Sequence, residues 1–583
     1  MFPRPFPRYL RPCAWSCNAL SQCAARPSSA FAASSPLPHQ PPPVLRRSFR
    51  ILAIETSCDD TCVAVLELKA RRGAKYRTAK LLFNQRITSN NLRYGGVHPL
   101  RSLESHQENL ALLLEKAKRR RGFRTPDLVA VTRGPGMRNN LQCGIDTAKG
   151  LAVAWGVPLI GVHHMQAHAL APRLLKATRA PASGSKTSQP SEPNFPFLSL
   201  LVSGGHTLLV LSRSLKDHQI IASTADIAIG DCLDKVARHV LPPDTLANSS
   251  TVAYGSLLEA FAFDLDPNPS YRRIPRYEYH PPRTMGEEYE KGQVKNDYGW
   301  HFPTPLLTKD GKKSRAMEFS FGGICSHVQR IVSFGGTHNT PRVSPIELQE
   351  AKVLAQRAMQ SAFEHLAGRV VLFLESLAAA EVSVPNKRAS SGNMPQHLVL
   401  GGGVASNGYL KHILQKYLSA RGFSKVKLCF APQSLCVDNA AMIAWTAAEM
   451  VGAYTADQDF RLEMDDASSS LSMRAIRKWS LENLLTPEKE LEREMREERE
   501  RDERQKQKTP MTACTTAEQS NVENTTSQSM QPCQDTLLAD LGHPVNSQAL
   551  SEKSRLGLVT NNYPTTSAEL SNILSSLRAE PQK

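Results

Sequence analysis

The sequence predicts an α/β fold built from two copies of one lobe with a cleft between them. Three observations carry this. An apolar strand, ILAIE from Ile51, passes through a short polar break, Thr56-Ser57-Cys58-Asp59-Asp60-Thr61, into a second strand, CVAVLEL. The same strand, tight polar turn and strand recur at Phe197 to Leu211, FLSLLVSGGHTLLVL, with Ser203-Gly204-Gly205-His206-Thr207 as the turn, which makes an internal repeat. Each hairpin is followed by helical stretches, so the copies read as sheet-plus-helix lobes whose polar turns can face an anionic ligand in the cleft.

Composition sets the bounds. With 583 residues and 41% apolar content, the chain can bury at least one large core. No run of eighteen apolar residues occurs, so a membrane span is not supported. The 12 cysteines include no CxxC pair. Cys58 and Cys62 flank acidic residues, which fits neither a zinc ribbon nor a disulfide framework and points to free thiols in a reducing compartment. The net charge of +17 is unevenly spread: residues 1–50 carry Arg4, Arg8, Arg11, Arg26, Arg46, Arg47 and Arg50, with no lysine and no acid. Such an arginine-, serine- and alanine-rich leader reads as a mitochondrial transit peptide, with Arg47-Ser48-Phe49 as a processing neighbourhood; a disordered basic tail is the competing reading.

In chain order, helical sequence runs from about Ser102 to Arg121, its cationic end favourably placed against the helix dipole. Lys118, Arg119, Arg120, Arg121 and Arg124 form the densest basic cluster of the core, open to two readings: phosphate contacts with nucleic acid or a solvated helix end. PDLVAVTRGPGM is a strand entering a glycine-proline turn, Gly144 to Trp155 a helix, and VPLIGVHHMQAH a strand leading into a second helix. His164 and His168 stand at i and i+4 on that helix and can aim nitrogens at one ion. Position 165 is methionine, so this is not an HExxH protease helix, and a pair of satisfied core histidines has the same spacing.

Residues 178–193 are rich in Ser, Ala and Pro and read as an exposed loop. Ile229 to Ala237 is a helix with Asp231 and Asp234 three apart on one side. From Asp266 to His301 the Pro, Tyr, Arg and Lys content marks an inserted loop, either a solvated linker or a nucleic-acid contact. Ser344 to Glu381 is helical, and HLVLGGGVASNGYLKHIL gives strand, glycine turn and helix. That turn can cradle a phosphate, although close strand-helix packing asks for the same residues. KVKLCFAP and Val437-Asp438-Asn439-Ala440-Ala441-Met442-Ile443-Ala444 supply the last core strand and helix, with Asp438 near the helix start. Beyond Asp457 the core signal fades. Thr486-Pro487-Glu488 opens a solvated charged helix to Lys508, and a disordered polar tail follows, so truncation after residue 485 is expected to leave activity nearly intact. The organisation is then a leader at 1–50, a core at 51–455 and a charged helix with polar tail at 456–583.

Six motifs, IETSCDDT at 54, HHMQAH at 163, LLVSGGHT at 200, FSFGG at 319, GGGVASN at 401 and DNAAMIA at 438, together resemble the TsaD family, formerly called O-sialoglycoprotein endopeptidases. The resemblance covers roughly residues 51 to 450 and implies an actin-like ATPase fold with two RNase H-like lobes. It implies transfer of threonylcarbamoyl from its adenylate, made by a separate synthase, to the exocyclic amine of the adenosine beside the anticodon of tRNAs reading codons that begin with A. Carried over by motif, His164, His168 and Asp438 would hold one divalent cation, with iron, zinc and magnesium all admissible. Leu201, Val202, Ser203, Gly204 and Gly205 would wrap the adenylate phosphate or acyl part. Asp234, Gly255, Glu259, Ser406 and Asn407 would hold nucleotide and ribose, and Asp59 would help to remove the amine proton. The tRNA anticodon loop and a second copy of the chain are the implied partners, the mitochondrial matrix the implied place.

Three departures stand out: Ala253-Tyr254-Gly255-Ser256 replaces a PGGP-type turn, Gly323-Ile324-Cys325 replaces GLK, and Gln166 replaces a glutamate. The alternatives kept open are an ATPase or kinase of the same fold, a metalloendopeptidase, and a non-catalytic tRNA-binding scaffold.

Overall fold

A computed structural model describes residues 48–508 apart from 70–77, 179–191, 250–251, 266–276, 336–339, 383–393 and 457–470. The leader up to residue 47, nearly all of the 178–193 loop, the start of the 266–301 insertion and the tail beyond residue 508 lie outside the described residues.

The first sheet holds β1 (Ser48–Glu55), β2 (Asp60–Lys69), β3 (Thr78–Thr88), β4 (Leu128–Gly134) and β5 (Leu159–His163) in the order β3-β2-β1-β4-β5. β1 pairs antiparallel with β2, Ile54 facing Val63, and parallel with β4, Ile54 facing Val131. The second sheet repeats this with β6 (Phe197–Val202), β7 (Thr207–Ser212), β8 (His218–Thr224), β10 (His397–Gly401) and β11 (Lys427–Phe430), adding the two-residue β9 (Glu318–Phe319) at its edge. Its order, β11-β10-β6-β7-β8-β9, reproduces the first: an antiparallel three-strand meander continued by two parallel strands. The two hairpins read from the sequence are therefore the equivalent centres of two RNase H-like lobes, as expected.

Strand alternation assigns the faces. Leu52 and Ile54 of β1 point to an outer core shared with α1 (Pro99–Lys118) and α2 (Arg138–Trp155), through Leu110, Leu113, Leu141 and Ile145. Ile51 and Ala53 point to a central core with α3 (His164–Thr178) and α12 (Ala440–Ala456), which also takes Phe197, Leu201, Val210 and Val399 from the second sheet. Two apolar helices thus lie between the sheets. Both are buried nearly all round, as elements covered on two sides must be. The outer face of the second sheet is covered by α4 (Ile229–Val240), α6 (Gly255–Phe263), α8 (Gly322–Phe334), the 35-residue α9 (Leu348–Val382) and α10 (Gly408–Ala420). Shorter turns of helix are α5 (Pro243–Ala247), α7 (Met285–Gln293) and α11 (Gln433–Cys436).

Two expectations change. The described part of the 266–301 insertion is not a solvated loop: Thr284 caps α7 by accepting a hydrogen bond from the Glu287 amide at 3.1 Å, and buried Trp300 donates its indole N–H to Glu350 on α9 at 3.0 Å. Nor does packed structure end near residue 455. Met473, Ala475, Ile476, Trp479 and Leu481 are buried, and α13 (Pro487–Lys508) is tied to the first lobe by Arg133–Glu488 at 2.8 Å and Arg138–Glu494 at 2.9 Å. A Cβ on Gly134 would stand 2.0 Å from the Ile476 carbonyl oxygen, which is why the chain can cross there only over glycine. The core signal faded because this segment is held by ion pairs and a few scattered apolar anchors rather than by a periodic stripe.

Candidate functional site

Parallel strands in both sheets end toward the cleft, and the two central helices start there, which is where open α/β sheets place ligands. α3 follows β5 without a loop, so His164 opens the helix and His168 lies one turn on. Asn439 caps α12 by accepting from the Met442 amide at 3.0 Å, which sets Asp438 at the mouth of that helix. Side-by-side packing of α3 and α12 then brings Asp438 Oδ1 to 3.0 Å from His168 Nε2 and 3.4 Å from His164 Nε2. One ligand atom from each of the three residues lies within 4.8 Å of the others.

The surroundings fit a divalent cation. Alternation on β1 puts Glu55 on the face that meets α3, fully buried, with Oε2 at 3.3 Å from His164 Nδ1 and bonded to the Thr132 hydroxyl. Ser57 lies 3.3 Å from the same Nδ1, and its amide donates to Glu55 Oε1 at 2.6 Å. An imidazole held through one nitrogen by a carboxylate offers the other to a metal. Burial disfavours a charged His164, yet Asp438 and Glu55 outweigh it and push its pKa up to about 9. Asp438, despite its own burial, is held far below the usual carboxylate range by His164 and His168. The same acids that favour a positive charge on His164 would favour a divalent cation held by His164, His168 and Asp438. Glu55→Gln should therefore lower metal affinity by about 10–100-fold while leaving all three ligands in place, measured by titration of the metal-free protein; unchanged affinity would remove Glu55 from the site.

Both polar turns border this cluster. Asp59 lies on the first, its carboxyl raised by burial and then by Asp438, with Asn91 Nδ2 at 3.4 Å. Beside it, burial pushes Asp60 up to about 7 even though Arg86 stands 3.0 Å away. On the second turn, Ser203 Oγ accepts from the amides of Gly205 at 3.3 Å and His206 at 3.0 Å, leaving Gly204 and Gly205 exposed to the cleft. Burial, then the charge of His164, lowers His206 to about 4 and keeps it neutral.

A family model described as TsaD: tRNA N6-adenosine threonylcarbamoyltransferase matches residues 80–266 and 274–445. This chain belongs to the TsaD family. A Schizosaccharomyces pombe relative named tRNA N6-adenosine threonylcarbamoyltransferase, mitochondrial, is 35% identical over 451 residues, 76% of this chain and 89% of its own. An Arabidopsis thaliana relative, named as the probable mitochondrial enzyme, is 30% identical over 72% of this chain and 73% of its own. A Bacillus cereus relative named tRNA N6-adenosine threonylcarbamoyltransferase is 32% identical over 69% of this chain and 91% of its own. The repeated five-strand order is the actin-like fold of the TsaD family.

Within this TsaD chain the remaining expected residues divide. Leu201 and Val202 are buried, their side chains spent on the central and outer cores and their backbone on pairing with β7 and, for Leu201, also with β10, so they place the turn that follows them. Gly402, at φ +93°, lies so close to β6 that a Cβ would stand 2.3 Å from the Val202 oxygen; here the glycine run serves close packing. Gly230 does the same beneath the second turn, its Cβ position 2.7 Å from the Gly204 nitrogen. Asp234 Oδ1 accepts from the Gly255 amide at 3.0 Å, which brings those two residues together. Glu259 accepts from the amides of Gly408 at 2.8 Å and Tyr409 at 3.1 Å, while Asn407 Oδ1 accepts from Leu410 N at 3.0 Å. Both thus cap α10, and Ser406 turns its hydroxyl to the Gly403 oxygen at 2.7 Å. Sequence reasoning missed Glu55 and His206; a glutamate closing an apolar strand and a histidine inside a glycine turn were the available signals.

Proposed function

We propose that this chain transfers the threonylcarbamoyl group from threonylcarbamoyl-AMP to the N6 amine of the adenosine 3' to the anticodon, in mitochondrial tRNAs reading codons that begin with A. The observation that carries the reading is the convergence of His164, His168 and Asp438 between the polar turns of two lobes. In the reaction the amine attacks the carbamoyl carbon of the mixed anhydride, the new C–N bond replaces the C–O bond to phosphate, and AMP leaves. A divalent cation held by the three ligands supplies Lewis acidity and charge neutralisation when bound. The Ser203-Gly204-Gly205 turn, exposed at its two glycines, wraps the phosphate or acyl part, Asp59 takes the amine proton, and Asp234, Gly255, Glu259, Ser406 and Asn407 line the nucleotide end. The target base lies in a single-stranded loop, so presenting it costs little. A separate synthase supplies the donor, two copies of the chain pair, and the reaction runs in the matrix.

Phosphotransfer gives no task to the histidine pair, and peptide hydrolysis lacks the base that an HExxH helix would put at Met165. Purified protein given threonylcarbamoyl-AMP and unmodified tRNA should release one AMP per modified adenosine. Peptide cleavage or ATP turnover with no modified tRNA would refute the reading.

The basic cluster at 118–124 sits badly for this task. Arg124 donates to the Ser48 carbonyl at 2.9 Å and Arg50 to the Gly122 carbonyl at 2.7 Å, so the cluster lies at the start of β1. The site is at the strand's other end, roughly 25 Å away at about 3.3 Å per residue. Reversing Lys118, Arg119 and Arg121 together should leave the salt dependence of tRNA binding unchanged; a flatter slope would put phosphates on this face.

A further inference from the structure

α4 and α8 pack side by side in the second lobe, and each carries a cysteine near its start. The Sγ atoms of Cys232 and Cys325 are 3.1 Å apart, both thiols are free, Cys232 is fully buried and Cys325 is partly exposed. The other sulfur contacts are backbone oxygens at 3.6 Å, Phe321 for Cys232 and Cys232 itself for Cys325. We infer that Cys232 and Cys325 form a peroxide-sensitive dithiol, a redox-modification site whose closure to a disulfide slows the transferase.

The geometry assigns the two sulfurs different tasks. Cys325 is the one solvent reaches, and its hydrogen bond with Cys232, then the Lys235 ammonium, hold its thiol below the ordinary range. Its thiolate attacks a peroxide oxygen, the O–O bond breaks, and the sulfur becomes a sulfenic acid with release of hydroxide. Cys232 then attacks that sulfur, the S–O bond breaks, and water leaves. In sum two thiols and one hydrogen peroxide give one disulfide and two waters. Buried beside it, Cys232 is placed to resolve the sulfenic acid before further oxidation.

Closure shortens the sulfur separation from 3.1 Å to about 2.05 Å, drawing the two helices together. α4 has little freedom to absorb that: Gly230 lies under the Ser203-Gly204 turn, donating its amide to the Ser203 carbonyl at 3.1 Å, and Asp234 anchors the start of α6. A shift near 1 Å at these residues misplaces groups meant for the donor nucleotide, and misplacement of that size lowers rates by up to about a hundredfold.

Reduced full-length protein would be treated with hydrogen peroxide, its remaining thiols alkylated, and its peptides mass-mapped while transfer rates are followed. The expected result is a Cys232–Cys325 linkage, a rate lower by about tenfold or more, and recovery of both on adding dithiothreitol; Cys325→Ser should keep its reduced-state rate throughout. The rate arm rests on the transferase reading, whereas the linkage is read by mass and stands without it. Cys325 halting at sulfenic or sulfinic acid, linkage to a different cysteine, or linked protein working at the reduced rate would each overturn the inference.

Discussion

Replacing His168 by alanine is expected to abolish threonylcarbamoyl transfer without unfolding the protein. His168 Nε2 lies 3.0 Å from Asp438 Oδ1 and belongs to a three-ligand set, so its loss leaves two ligands for an ion whose service is to neutralise charge on the leaving phosphate. Removing such electrostatic help costs on the order of a hundredfold or more in rate. His168 is also buried, so trimming its ring to a methyl group leaves a gap, and a modest fall in melting temperature accompanies the change. Modified adenosine, bound metal and melting temperature are measured on the same preparation. A metal-depleted variant that works at the wild-type rate would sink the assignment.

Truncation after Leu485 is expected to destabilise the protein, contrary to what the polar composition of the segment suggests. It removes Glu494, side chain 2% exposed, which pairs with Arg138 and accepts the Lys478 amide, and Glu490, which accepts from Asn483 Nδ2 at 2.6 Å. It also strips Arg133, 2% exposed, of its Glu488 partner. Hydrogen bonds to charged groups contribute about 1.5–3 kcal/mol each. Because Glu488 is 60% exposed and its pair is screened, the expected total is nearer to about 3 kcal/mol than to the sum over all contacts. Urea unfolding of the truncated and full chains measures this, with Glu494→Gln as a point variant expected to show part of the loss. Equal midpoints for the two chains would show α13 to be dispensable. The connection reaches the site, since His163, adjacent to His164, donates through Nε2 to the Trp479 carbonyl at 3.0 Å and accepts the Gln166 amide on Nδ1 at 3.3 Å.

Legibility followed the kind of force that holds each element. β1, β2, β6 and β7 were readable because strands covered on both faces are near-continuous apolar runs. β3 and β8 escaped notice: TAKLLFNQRIT, at the edge of the first sheet, and HQIIAST, flanked on its outer side only by the two-residue β9, mix exposed and half-buried positions and carry no clean period. α13 was visible as a helix but not as a packed one, since what binds it is a row of carboxylates meeting Arg133 and Arg138, residues more than three hundred positions earlier whose own environment the local sequence does not reveal.

The sequence by itself determined the duplicated strand–turn–strand units, the pair of imidazoles on one helical face and the glycines that let turns approach strands, because each depends on neighbours within a few residues. Only the tertiary structure decided what those features meet. Asp438 reaches His168 across 270 positions and Glu55 reaches His164 across 109, through the choice of which face of β1 looks inward and which two helices share the central core. The same packing turned Glu259 and Asn407 into caps of α10 and set Cys232 against Cys325. Carboxylate, imidazole and thiol become chemistry only at a few ångströms from one another, and that separation is set by the burial of apolar faces on α3, α12, α4 and α8, a property of the whole chain.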